Sequence, residues 1–365
     1  MNISVLTRPG EITPFMTEWV DLYARAGNNL FQNPNWHRIW WDTIGHGEGW
    51  RPHIVAGHVE GRLEAVAPLA VRRSHGLRRL EWAGFLAFDY PDLLIADGVN
   101  TATFWKLVRN TRGYDVAHIR QVRNGGISCT ALRPLARRRS DGTPVYEIDL
   151  SGSSGDHWLK SLSKRARANH VASIRQIEML GPLRMHVVSD ATEVPGLVAL
   201  LVDLKSVWAR TRGVESDLSR PGTPQFLEQV AVQSLADGNL HLSVLTCGDR
   251  TIAIHLGFVS QDGFYYYQPS YDAAFAKMSP GRLHLTMLIM WAVDNGHHRF
   301  DLLRGDDPYK IALGSDVRAL NDYMFTRGPV GAAAAHLHAL RERLTKNGQN
   351  IGAGWRNYKD ANART

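Results

Sequence analysis

Residues 240–314 constrain the fold of this chain more than any other segment. Two apolar runs flank the turn Gly248-Asp249-Arg250 and read as a hairpin. The aromatic run Phe264-Tyr-Tyr-Tyr-Gln-Pro-Ser-Tyr271 reads as a third strand. Pro269 cannot donate to a ladder, so pairing is expected to stop there and leave backbone groups free. Ser279-Pro280-Gly281-Arg282 then opens a helix, because Ser suits the cap and Pro the first helical position. A last strand ends in the turn Asp301-Leu-Leu-Arg-Gly-Asp-Asp-Pro-Tyr-Lys310. A helix start after a strand offers free amides and a positive dipole end to a phosphate. The segment therefore reads as a site for a phosphate-bearing cosubstrate such as a coenzyme A thioester.

The rest of the chain fits an α/β protein of two similar units. Its 365 residues suffice for two domains, and 44% hydrophobic with 21% charged residues is globular composition. Pro at 34 opens an aromatic helix carrying Trp36, Ile39, Trp40 and Ile44 at helical spacing. A hairpin follows over residues 52–71, then a strand at 79–82, a helix at 101–110 and a strand at 115–121. Residues 133–143 are basic and read as a linker. A long basic helix is expected over 156–180, closed by Gly181-Pro182, then a strand at 183–189 and helices at 195–212 and 224–236. The polar segment 212–223 reads as a lid or acceptor loop. An Ala-rich helix is expected over 331–346. The strand–turn–strand rhythm of 55–69 echoes that of 245–258, which suggests two copies of one unit. The division expected is 1–150, 151–330 with the cosubstrate site, and a tail of 331–365.

Charge and cysteine use narrow the partners. A net charge of +7 favours anionic partners: coenzyme A phosphates, an anionic membrane surface or RNA. Cys129 and Cys247 lie in no metal-ligand or redox spacing, so a reducing compartment and no metal are expected. No leader and no membrane-spanning run is read, so the expected location is the cytoplasm, soluble or peripheral at the inner membrane face.

The chemistry-bearing side chains cluster in the same segment. Ile252, Ile254, Leu256 and Phe258 share one strand face, which leaves His255 among small residues on the other, where it could serve as a general base. The competing reading is a histidine hydrogen-bonded at a packing surface. Gln268 and Ser270 flank the proposed splay, and Ser279, Gly281 and Arg282 the helix start. Tyr267 reads as pocket lining. In the final turn, Asp301 and Arg304 stand at a strand end, where α/β sites gather polar groups. Asp306 and Asp307 could bind an ammonium or accept its proton, or simply cap the next helix. Tyr309 could protonate a leaving thiolate, and Lys310 could hold a phosphate or pair with an aspartate. Neither cysteine stands beside a base, so direct attack without a covalent enzyme intermediate is expected.

These residues carry a resemblance. The strings YYYQPSYD, SPGRLHL and FDLLRGDDPYK, with FQNPNWHRIWW, GRLEAVAPLAVRR and FDYPDLLI in the front half, resemble the GNAT-type acyltransferases of the CelD/BcsL class. That class is related to the Fem-type transferases, which carry two GNAT-like units in one chain. The resemblance covers roughly residues 34–328. It implies two units of mixed β-sheet flanked by helices, and acyl transfer from an acyl-CoA to a primary amine. Asp89 and Tyr90 join the substrate-binding candidates through it. Relatives include exopolysaccharide-synthesis enzymes and bacterial ceramide synthases, which N-acylate a sphingoid base. The Fem-type relatives use aminoacyl-tRNA, which is the alternative reading here; DNA is not an expected partner. The family's Gly-rich phosphate loop is replaced by Lys277-Met-Ser-Pro-Gly-Arg282, with one Gly, which leaves the donor open to acyl groups other than acetyl.

Overall fold

The computed structural model describes residues 1–333 apart from residues 27, 28, 137, 142, 214, 215, 262, 306 and 314. Among these residues the chain forms two α/β units. The C-terminal unit is built on a seven-stranded sheet in the order Leu183–Val187, Leu240–Cys247, Arg250–Ser260, Gly263–Tyr271, Arg299–Arg304, Val145–Asp149, Asp316–Arg318. Its neighbours are antiparallel except for Gly263–Tyr271 beside Arg299–Arg304. A parallel pair needs a crossover, and the helix Pro280–Asp294 supplies it.

The N-terminal unit repeats this plan. Leu77–Trp82 runs parallel to Val116–Arg123, with the helix Thr101–Asn110 between them in sequence. Asn100 caps that helix by accepting from the Thr103 amide at 2.8 Å. The hairpin Ile54–Val59 with Arg62–Ala67, expected to echo 245–258, lies in a separate four-stranded antiparallel sheet of this unit.

The sheets do not divide at residue 150. Val145–Asp149 crosses into the seven-stranded sheet, and Leu320–Thr326 returns to pair with Val116–Arg123 in a six-stranded sheet of the N-terminal unit. Part of the expected linker is a strand as well, since Arg138–Asp141 pairs with Leu320–Thr326. One hydrophobic core spans both halves, from Leu6 to Phe325. Trp36 meets Phe258 at 4.6 Å and Phe31 meets Tyr265 at 5.7 Å, each across the halves. Aromatic contacts of this kind rigidify an interface beyond their buried area.

The long basic helix is two helices, Gly155–Ser161 and Lys164–Glu178. Ser163 breaks the run by accepting from the Ala166 amide at 3.2 Å, a cap that competes with helix continuation. The expected C-terminal helix over 331–346 lies outside the described residues beyond 333.

Candidate active site

A cavity of about 1220 Å³ lies between the halves. One wall is formed where the two parallel strands diverge. Gly263–Tyr271 and Arg299–Arg304 pair only at Phe264 with Phe300 and Tyr265 with Asp301. The cavity follows both strands beyond that point, along Tyr267, Gln268 and Ser270 on one side and Leu302 to Arg304 on the other.

Pro269 does not end the strand as expected. Its register with Arg250–Ser260 continues to Tyr271, and the splay opens on the opposite edge. The Pro269 carbonyl accepts from Lys205 Nζ at 3.1 Å, so it points away from the antiparallel partner. A residue's N–H and C=O point to the same side of a strand, so the missing donor falls on the open edge and costs the ladder nothing.

The start of Pro280–Asp294 closes one end of the cavity, with Ser279, Gly281 and Arg282 in the lining. Ser279 is not a side-chain cap. It sits in the left-handed region at φ 53 and ends the preceding 3-10 turn, and its hydroxyl makes no cap bond. The first amide in the helix's own ladder is that of Leu283, which reaches Ser279 O at 3.1 Å. The amides before it are the orphan donors of a helix start. A Cβ at Gly281 would stand 3.1 Å from the Tyr271 ring, so glycine lets the helix start approach the strand.

The turn after Arg299–Arg304 gathers the ionisable groups. Asp301 is fully buried; its Oδ1 accepts from the Tyr90 hydroxyl at 2.7 Å and the Leu303 amide at 2.8 Å. The second bond closes a local turn, and Leu303 adopts φ 57, which bends the strand end toward the cavity. Burial raises the Asp301 carboxyl above the usual range and the Tyr90 phenol well above its own. Arg304 Nε bonds Asp89 Oδ1, which joins the two halves at the cavity wall. Lys310 is buried and donates to Arg304 O at 2.6 Å and Leu303 O at 3.3 Å, with Asp307 Oδ2 at 3.9 Å. Burial lowers its pKa. Tyr309 is half-buried, and desolvation followed by the Asp307 charge raises its phenol.

The fold brings most expected site residues together. Asp89, Tyr267, Gln268 and Ser270 line the cavity, as do Ser279, Gly281 and Arg282; so do Arg304, Asp307, Tyr309 and Lys310. Tyr90 and Asp301 stand behind the wall, coupled to it through Arg304 and Leu303. Asp306 lies outside the described residues.

His255 is elsewhere. Both faces of its strand are covered, and the imidazole is fully buried outside the cavity lining. It stacks on Tyr266 at 4.6 Å and faces His284 of the helix Pro280–Asp294 at 6.4 Å. Neither ring nitrogen has a hydrogen-bond partner. Burial, then the neighbouring His241 and His284, hold its pKa well below the ordinary histidine value.

Two parts of the wall were not read from the sequence. Lys205, in the middle of the helix Val194–Arg212, reaches into the splay. The N-terminal half contributes Glu48, Trp50 and Arg72; Arg72 stacks 4.5 Å over Trp50, whose Nε1 donates to Glu48 at 3.2 Å. The polar segment 212–223 borders the cavity through Leu218 and Arg220. Gly222 anchors it at φ 80, where a Cβ would collide with the Thr43 carbonyl.

Residues 164–311 match the family described as "Acetyltransferase (GNAT) domain". Solved structures share the fold over almost the whole chain. FemX is 12% identical, with 89% of this chain and 98% of that one covered at a TM-score of 0.58. L-PGS from Bacillus licheniformis is 11% identical, with 90% and 96% covered at 0.54. The C-terminal domain of a protein described as a lysylphosphatidylglycerol synthetase, from Agrobacterium fabrum, is 12% identical, with 90% and 96% covered at 0.56. No curated protein matches the chain in sequence. At such identities the likeness is one of fold.

Proposed function

We propose that the protein is an acyl-CoA-dependent N-acyltransferase that moves an acyl group from a coenzyme A thioester to a primary amine. The observation that carries this reading is the splay between two parallel strands, ending at a helix start and opening on one polar turn. A thioester arm fits along the open edge, with its phosphates toward the amides after Ser279 and the Arg282 cation.

The chemistry follows from the turn. The acceptor amine arrives as an ammonium, and Asp307, 57% exposed at its side chain and lining the cavity, takes its proton. This is the role expected of His255 or Asp306; a base must reach the proton it removes, and His255 does not line the cavity. The amine nitrogen then attacks the thioester carbon, the C–N bond forms and the C–S bond breaks. The departing thiolate receives its proton from Tyr309, whose raised pKa keeps it in the phenol form until that moment, and the second proton shed by the acylated nitrogen restores the phenol, leaving an amide and a free thiol. Backbone amides near the splay stabilise the oxyanion. Asp89, Arg304 and Lys310 hold the turn in place.

The acceptor is a long-chain amine of the sphingoid-base type. The aromatic and apolar wall of Trp40, Trp50, Phe85, Leu86 and Trp208 supports this. The test is mass spectrometry of products formed from acyl-CoAs of graded length with sphinganine and with short amines. An amide of sphinganine is expected; its absence with every acyl-CoA overturns the reading. Activity that vanishes on ribonuclease treatment points instead to an aminoacyl-tRNA donor. Tyr309→Phe is expected to lower kcat about ten- to a hundredfold with little change in KM, measured with the best acyl-CoA. An unchanged kcat removes Tyr309 from proton delivery.

A further inference from the structure

The helix Lys164–Glu178 has two working flanks. Asn169, His170, Ser173 and Gln176 line the active-site cavity. The opposite flank, Lys164, Ala168, Val171 and Arg175, forms a shallow hollow open to solvent, which meets the cavity lining at Ala172 and Gln176. Val171 is 44% exposed there, and Met179 and Leu180, which follow the helix, are 78% and 61% exposed. Lys164, Arg165 and Arg175 are exposed basic groups on this helix, and Glu178 is its one acid. The surface therefore combines a cationic band with a protruding apolar tip.

We propose that this face is where the protein docks on an anionic lipid bilayer, with Met179 and Leu180 entering the headgroup region and the basic flank lying over the lipid phosphates. The inference rests on transfer to a long-chain amine, because it explains how such an acceptor reaches the cavity: one helix separates the cavity from the docked surface. Cations gain from anionic headgroups, and apolar tips gain from the acyl boundary just below. An RNA backbone rewards only the cations. The apolar tip is thus what selects the bilayer over a nucleic acid.

The test uses the full chain. Sedimentation with phosphatidylcholine vesicles is compared with sedimentation with vesicles that also contain phosphatidylglycerol. Binding is expected to the mixed vesicles, about tenfold or more tighter than to phosphatidylcholine alone, and weakened by salt. Met179→Asp with Leu180→Asp, and separately Lys164→Glu with Arg175→Glu, are each expected to weaken vesicle binding about tenfold. Turnover of a short soluble amine should be unchanged in both, since none of the four contributes to the proposed chemistry. Equal binding to the two vesicle types overturns the proposal, as does binding that both pairs leave intact. So does a protein that ignores vesicles but binds tRNA through the same basic residues. Loss of turnover on soluble substrates in the unaltered chain would count against the transfer reaction, whereas the vesicle result reads the docking face by itself.

Discussion

Lowering the pH from 7 to 5 is expected to remove roughly 6 kcal/mol of folding stability from the native chain. Four buried histidines supply this figure, and His255, held well below the ordinary value by burial, adds to the loss in the same direction. His53 and His241 have pKa values lowered to about 4, and His37 and His284 to about 3, all by burial. His37 stacks on Trp19, and His53 donates to the Thr111 hydroxyl, so the N-terminal half is affected as directly as the other. The folded pKa values lie below the unfolded one. Between about 6.5 and 4 the unfolded chain therefore binds more protons, and stability falls as pH falls. Each histidine loses about 2 kcal/mol by pH 5. Asp92 acts the other way: burial raises it to about 6, and protonating it on acidification returns about 1 kcal/mol. The remaining loss is comparable to the whole stability of an ordinary domain, about 5–15 kcal/mol. Urea melts at pH 7, 6 and 5 measure it, and a midpoint that stays flat across this range refutes the account.

The second large effect belongs to the pair that joins the halves. Replacing Arg304 with Ala leaves the Asp89 carboxylate, 8% exposed, without the cation it faces. Removing one member of a buried pair costs about 3–5 kcal/mol, because the charge left behind is uncompensated. Turnover should fall together with stability, since the Arg304 side chain lines the cavity and its ion pair with Asp89 holds the turn that carries Tyr309 and Lys310. Asp89→Asn should cost less than Arg304→Ala, because it leaves the more exposed partner. A double-mutant cycle on urea melts, with kcat/KM in parallel, reads both quantities. Additive effects of the two substitutions would show that the residues do not act as a pair.

Local signals in the sequence were legible where they were self-contained. The helix Thr101–Asn110 is set by Asn100 and its own periodicity, and the strands Leu240–Cys247 and Arg250–Ser260 by the turn between them. Ser163 carried a readable cap signal, but the apolar residues Leu159, Leu162 and Ala166 ran on past it and hid the break. Long-range pairing was not legible. Nothing local tells Asp89 that Arg304 lies beside it, or Val145 that its strand belongs beside Arg299–Arg304. His255 shows the same limit: alternation gave its facing correctly, but only the packed helix Pro280–Asp294 decides that this face is closed. The final turn was found from its density of ionisable groups, since such a density is costly unless the groups have partners or a task.

The exchange of strands between the sheets makes the halves inseparable. A chain cut after residue 150 would leave the front fragment lacking its Leu320–Thr326 strand and the back fragment lacking Val145–Asp149, which joins Arg299–Arg304 to the edge strand Asp316–Arg318. Each piece would expose raw hydrogen-bonding edges in place of a finished fold. The protein therefore behaves as one cooperative body despite its doubled plan. Two units joined in this way cannot be parted into two chains without first rebuilding both sheets.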